Sequence, residues 1–304
     1  MLDKQTTAQN AAKIKQSKKE DLKMKKVIIS TDSPADITAE LAEKYSVAVC
    51  PLHVILNGED KLDGVNITPD AIIDNYKQTK ALPSTSAIPV GEYSEKFAEL
   101  TADGSSVVHI SLSSGVSSSH RNAVIAAEEF DDVYVVDSML LTTAMSILVI
   151  KAAHMAESGM AAQDIAKELE VLREKVDTSF VLDNLEFLAK GGRCSAVAAL
   201  GANILGIRPS LEMRDGKLGV CKKYRGKIEK VQLQYVNERL EAMGETDDEI
   251  AFMTYSPADM AQVNELAKVV EASGKFTEVV IAPAGCTITS HCGPNCVGII
   301  ALKK

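Results

Sequence analysis

The stretch from Val107 to Phe130, VVHISLSSGVSSSHRNAVIAAEEF, constrains the fold of this chain more than any other. Val107 to Leu112 is a short β-rich run, and Ala123, Val124, Ala127 and Phe130 then recur at helical spacing, so Ser113 to Ser119 must turn the chain between a strand and a helix. At such a turn free backbone N–H groups and the positive end of the helix dipole come together. Ser114, Ser117, Ser118 and Ser119 add hydroxyls there, and Gly115 lets a ligand approach the backbone. An anion suits this place. The plainer alternative is that one serine caps the helix and the others fill the loop.

The same unit recurs through the first half. Val27 to Thr31 reads as a buried strand ending in Asp32-Ser33-Pro34-Ala35-Asp36, followed by a helix through Ile37, Leu41 and Tyr45. Val47 to Leu56 is a β run broken by Pro51, Asn57-Gly58-Glu59-Asp60 reads as a turn, and Thr68-Pro69-Asp70 starts a helix. Pro83-Ser84-Thr85-Ser86 reads as a loop before a helix that begins near Gly91, and Val133 to Asp137 is a strand ending in Asp-Ser like the first. Met139 to Ile150 is the longest apolar run, too short to span a bilayer, and reads as a buried helix. Alternation through about Val176 calls for a parallel sheet covered on both faces, with ligands beyond the carboxyl ends of its strands.

The second half changes character. A short helix, Asn184 to Lys190, stops at Gly191-Gly192, and the small-residue stretch Ser195 to Leu205 reads as a second helix. Ile207 to Met213 and Lys217 to Lys223 flank Asp215-Gly216, the strongest hairpin signal in the chain. A long helix, strands at Glu249 to Tyr255, Glu278 to Ala282 and Val297 to Leu302, and a helix from Pro257 to Ser273 complete a mixed sheet with helices on one face. The expected fold class is therefore α/β: a three-layer α/β/α parallel-sheet domain over 24–176 and a mixed-sheet α/β domain over 177–304. Residues 1–23, with six lysines and no aromatic residue, read as a leader or tag-like extension ahead of Met24.

Composition narrows the function. A net charge of −9 argues against a general nucleic-acid binder, since the surface repels phosphates. Six scattered cysteines without a CxxC pair, and no signal peptide, point to reduced thiols in a cytoplasm. His291, Cys292 and Cys296 come close in sequence but lack an adjacent fourth ligand, so no metal is expected. The chain has neither G-x-G-x-x-G nor GxxxxGK[ST], which disfavours a nucleotide site.

From Met24 onward the chain resembles the DegV family of bacterial fatty-acid-binding proteins. The resemblance is carried by Thr31-Asp32-Ser33 with Asp36, by Thr85-Ser86, by the SSGVSSS turn and by Val136-Asp137-Ser138. It continues through LDNLEFLAKGGR, the IRPSLEMRDGK hairpin and KKYRG to His291-Cys292-Gly293-Pro294. It implies two domains with a fatty acid between them and a role in phospholipid synthesis: the acid is delivered to a fatty-acid kinase that phosphorylates its carboxyl group. The chain departs from the family pattern at Ala87-Ile88, at Val116 with Ser118-Ser119, and at Cys292 and Asn295. Those departures bear on pocket shape, hence on chain length and unsaturation.

Carried over residue by residue, the resemblance implies a carboxylate clamp of Thr85, Ser86, Ser117 and His291, with Ser114 and Ser118 as secondary contacts. Short neutral donors fit a carboxylate that must later react, whereas a bidentate arginine would neutralise it. For His291 a structural loop histidine is the other reading. The Ser195 to Leu205 stretch is either a tunnel wall or a site of close helix packing. No cofactor other than the bound acid is expected, and no integral membrane association beyond transient contact. Arg225, in the K-x-R-G motif, and Arg193 are the expected kinase contacts, while Lys222 and Lys223 equally suit edge-strand protection. From another class, a Ser/His acyl hydrolase would use Ser117 and His291, but Gly115-Val116-Ser117-Ser118-Ser119 lacks the second glycine of a nucleophile elbow.

Overall fold

The computed structural model describes residues 25–194 and 206–304. The first half runs β1 (Val27–Asp32), α1 (Ala39–Lys44), β2 (Ala48–Cys50), β3 (His53–Leu56), β4 (Glu59–Leu62), α2 (Pro69–Thr79), β5 (Ser84–Ser86) and α3 (Val90–Thr101). It continues with β6 (Ser106–Ser111), α4 (Ser119–Ala127), β7 (Val133–Asp137), α5 (Thr143–Glu157) and α6 (Ala162–Leu172). The second half comprises β8 (Val176–Val181), α7 (Glu186–Gly191), β9 (Ile207–Arg214), β10 (Lys217–Arg225) and α8 (Ile228–Ala242). After these come β11 (Thr246–Tyr255), α9 (Met260–Ala272), β12 (Glu278–Pro283), α10 (Cys286–Cys292) and β13 (Val297–Lys303). The expected helix at Ser195 to Leu205 lies outside the described residues.

β2, β1, β6 and β7 form a parallel sheet in that order. All six residues of β6 are buried, as expected for a central parallel strand covered on both faces. α3 and α4 pack together on one side, and α5 and α6 on the other. The mixed sheet has the order β10-β9-β8-β13-β11-β12, antiparallel except between β11 and β12.

The expectation of helices on only one face of the mixed sheet is corrected by α5. α8 and α9 cover one face, but α5, from the first half of the chain, lies between the two sheets and contacts β1, β6, β8 and β13. Ten of its fifteen residues are buried, which explains why Thr143 to Ile150 carries no charged side chain and shows no single apolar stripe. Alternate residues of the mixed sheet then feed two cores. Phe180, Phe252 and Ile300 join the core shared with the parallel sheet, and Val181, Met253 and Ile299 join the one under α8 and α9.

A third sheet was not legible in the sequence. β4, β3 and β5 form a small antiparallel sheet, so Glu59-Asp60 and Thr85-Ser86 lie in strands rather than in a turn and a loop. Each strand has three or four residues, too short for a period to show. The hairpin at Asp215-Gly216 forms as expected, with φ of 48° and 72° at the two turn residues. α10 belongs to the second half by sequence yet packs on α2, β3 and β5 of the first.

Candidate functional site

Two carboxylates shape the serine-rich turn. Asp32, at the carboxyl end of β1, is fully buried and accepts the N–H of Leu112 at 2.8 Å. Asp137, at the end of β7, accepts the N–H groups of Ser114 at 3.1 Å and Met139 at 3.0 Å. The Asp-Ser strand endings thus anchor neighbouring backbone where the ladder stops. Asp32 is held in turn by Tyr93, whose hydroxyl donates to Oδ1 at 2.5 Å, and His109 Nε2 lies 3.2 Å from the same oxygen without hydrogen-bond geometry. Burial first, then the Asp32 charge, pushes the Tyr93 hydroxyl well above its usual range, so it remains a donor.

Within this turn Ser117 is half-buried. Its Oγ accepts the Ser119 N–H at 3.1 Å and lies 2.9 Å from Ser119 Oγ. When Ser119 donates to it, the Ser117 proton is free for a ligand. Ser114 and Ser118 are exposed and are not among the described residues lining the cavity below. Gly115 does not serve ligand approach. A Cβ there would stand 2.2 Å from the carbonyl oxygen of Gly216, because the hairpin tip docks on the turn, with Ser113 Oγ donating to that oxygen at 2.7 Å.

Thr85 and Ser86 reach the site on β5, which pairs with β3 through Val54↔Thr85 and His53↔Ser86. His291 arrives on the last turn of α10, not in a loop, and its Nε2 lies 2.8 Å from Thr85 Oγ1. The ring packs against the backbone of α7: a Cβ on Gly191 would fall 2.2 Å from His291 Nδ1. That nitrogen is buried without a hydrogen-bond partner among the described residues. Burial, with the nearby Arg193 charge adding to it, pushes the His291 pKa down to about 4, so the ring is neutral near pH 7.

Thr85, Ser86, Ser117, Thr287 and His291 meet at one cavity, of about 60 Å³. Leu52, Leu112, Val116, Leu141, Phe180, Leu188 and Ile288 supply its apolar wall. A second space, of about 20 Å³, continues toward Thr254, Tyr255, Ser256 and Gly298. Both are bounded by Leu141, Phe180, Ile288 and Cys292, which therefore form the constriction between them. The cavity lies beyond the carboxyl ends of β1 and β6, where an open α/β sheet places ligands. A larger open groove of about 910 Å³ lies at the opposite ends of those strands, beside Lys26, Ile28, Tyr45 and Tyr134, and gathers no comparable set of convergent donors.

Of the two arginines singled out in the sequence, Arg193 lines the cavity and donates to the carbonyl oxygen of Gly191 at 2.6 Å, closing the end of α7. Arg225 is exposed at the last position of β10, paired with Ile207, and not in the following turn. A hydrolytic pair is not assembled: His291 bonds Thr85 rather than Ser117, and no carboxylate receives its Nδ1 among the described residues. Nor do the described residues hold any group of three or more histidine, cysteine or acidic side chains placed for a metal ion. No described helix is long and apolar enough to cross a membrane.

A parallel α/β lobe and a mixed-sheet lobe enclosing an apolar cavity headed by hydroxyls and a neutral imidazole define a two-lobed α/β protein. The chain belongs to the DegV family, matching the model described as "Uncharacterised protein, DegV family" over residues 26–304. It is 29% identical to a DegV domain-containing protein of Clostridium perfringens, over 92% of this chain and all of that one. Among solved structures it is similar to one described as "Fatty Acid Binding of a DegV family Protein from Thermus thermophilus". That match has a TM-score of 0.84 and 29% identity, and covers 92% of this chain and 100% of the other. It is also similar to a stearic-acid-binding protein from Eubacterium ventriosum, with a TM-score of 0.80, 27% identity and coverage of 91% and 98%.

Sequence reasoning missed Asp36, Asp63, Tyr93, Gly191 and Phe180 as parts of this region. Asp32 and Asp36 stood in the motif that carried the resemblance, without a role. Gly191 reads in the sequence only as a helix stop, and nothing local to Asp63 marks it, because His291 and Cys286, which they meet, lie 100 and 223 positions further on.

Proposed function

We propose that this protein binds a long-chain fatty acid with its carboxylate at Thr85, Ser86, Ser117 and His291 and its chain along the cavity past Phe180, and that it presents the carboxyl group to a fatty-acid kinase. The observation that carries this reading is the convergence of Thr85, Ser86, Ser117 and His291, from β5, the serine turn and α10, at the head of an apolar cavity. The fatty-acid-binding relatives support it. Arg193, at the cavity wall beside His291, places a positive charge near an anionic head group.

Affinity comes from the methylenes. About a dozen CH₂ groups at ~0.8 kcal/mol each contribute about 10 kcal/mol, less ~4 kcal/mol or more for association. Micromolar binding or tighter follows once the head-group hydrogen bonds are added. The enclosed space is far below the ~300 Å³ or more of a ligand-filled pocket, so the acyl chain requires Leu141, Phe180 and Ile288 to swing aside.

The kinase-facing part of the reading rests on the basic edge of the mixed sheet. Lys217, Lys222, Lys223 and Arg225 lie on β10, the outermost strand, and Lys227 and Lys230 follow it. In an acidic protein this is a local positive surface suited to an acidic partner. The test of the whole reading is to denature the purified protein, extract it with organic solvent and identify the acid by mass spectrometry. Near-equimolar long-chain acid is expected; none recovered, with no uptake of added acid, ends the reading.

A further inference from the structure

α10 carries His291, Thr287, Ile288 and Cys292 into the cavity wall, yet it has no cap of its own. Gly285 offers no side chain, and the first turn contains no acid. Its first N–H groups are met instead by two carboxylates from the first half of the chain. Gly285 N donates to Asp36 Oδ1 at 2.9 Å, Cys286 N to Asp63 Oδ1 at 2.7 Å, and Thr287 N to Asp63 Oδ2 at 3.0 Å. Both carboxylates are buried, and each is held from behind. Ser33 Oγ donates to Asp63 Oδ2 at 3.0 Å while accepting the Leu52 N–H, and Thr142 Oγ1 donates to Asp36 Oδ2 at 2.6 Å. A Cβ on Gly285 would stand 2.9 Å from Asp36 Oδ1, so the approach is as close as backbone allows.

The two ends of the helix therefore have different partners. One is fixed by two acidic side chains, of which Asp36 has its pKa raised well above the usual carboxylate range by burial; the other presents His291 Nε2 to Thr85 Oγ1. A helix of seven residues is too short to hold its direction without tertiary anchors. Thr142 carries the cost of the arrangement: it sits at φ 52°, ψ −152°, a region other residues than glycine rarely occupy, and its hydroxyl is the group that fastens Asp36.

We infer that Asp63 and Asp36 are positioning residues for ligand binding, acting through α10 to set His291 against Thr85 at the head of the cavity. The inference rests on the proposed role of His291 in holding a carboxylate. If it is right, removing the charge that anchors one end of the helix releases the imidazole at the other, and the loss at Asp63 and the loss at His291 are one loss counted twice.

The experiment compares the wild type, Asp63→Asn, His291→Ala and the double variant. In ligand-free protein, NMR titration of the His291 ring should move from about 4 in the wild type toward the ordinary histidine range in Asp63→Asn. In stearate or oleate binding, Asp63→Asn should raise the dissociation constant about tenfold, and the double variant should bind no more weakly than His291→Ala. An unmoved titration in folded Asp63→Asn, or losses that multiply in the double variant, would overturn the inference. Should Asp63→Asn not fold, Asp36→Asn keeps an acceptor for the Gly285 N–H, but its amide must donate to Thr142 Oγ1 where the acid accepted from it. It should show the same non-additivity with a smaller loss, and multiplied losses again count against the idea. A shifted titration with unchanged binding would uphold the positioning and remove His291 from the carboxylate site, so the two readings fail separately.

Discussion

His291 Nε2 lies 2.8 Å from Thr85 Oγ1 across 206 positions of sequence, and this bond joins the two halves of the chain at the head of the cavity. It leaves His291 Nδ1 buried and unsatisfied among the described residues, which costs ~1–3 kcal/mol whichever tautomer is present.

Ser117→Ala should weaken fatty-acid binding by ~1–3 kcal/mol, the range for a hydrogen bond to a charged group. Thr85→Val should do the same and also release the ring of His291. Isothermal titration with one acid across both variants and His291→Ala checks this, and unchanged constants in all three would take these residues out of the site.

Gly191→Ala should mimic His291→Ala. The added methyl would overlap the imidazole at 2.2 Å from Nδ1 and drive the ring off Thr85, while the end of α7 is otherwise open to repacking. Binding should fall with little change in the urea midpoint. A variant that binds normally would show that the ring is free to move without consequence.

The depressed pKa of His291 has a defined sign in stability. The folded value is about 4 against ~6.5 unfolded, so the neutral form is favoured in the fold. The contribution is fully present above pH ~6.5, declines as the unfolded state takes up a proton, and is gone below about 4, amounting to at most ~3 kcal/mol. Denaturation midpoints between pH 7 and pH 4 should fall less steeply in His291→Asn than in the wild type. A bound carboxylate raises the same pKa, so binding near pH 5 should take up protons, seen as a calorimetric heat that depends on the buffer.

Tyr93→Phe should destabilise the first half by ~1–3 kcal/mol, because Asp32 Oδ1 loses its hydroxyl donor where no water reaches it. The urea midpoint measures this. Since Asp32 also holds Leu112 N at the root of the serine turn, a weaker ligand affinity should accompany the loss.

Arg225→Ala should leave fatty-acid binding intact and reduce acyl-phosphate formation with the kinase roughly tenfold, mostly through a slower and less salt-sensitive encounter. A parallel loss of binding would instead make the arginine a support of β10, and no effect on either would leave the basic strand as edge protection.

The strand-turn-helix units, the hairpin at Asp215-Gly216 and the serine-rich turn were legible along the chain, because periodicity, turn chemistry and helix starts are properties of neighbouring residues. Resemblance then singled out Thr85, Ser86, Ser117 and His291 without saying what surrounds them. Long-range packing alone sets Thr85 and Ser86 on a strand of a third sheet, places α5 between both sheets, and brings Asp36 and Asp63 to cap a helix more than two hundred residues away. Burial and a missing local cap select such partners. α10 has N–H groups that must be satisfied away from water and no side chain of its own to meet them, so the acceptors come from whatever the fold packs against its end.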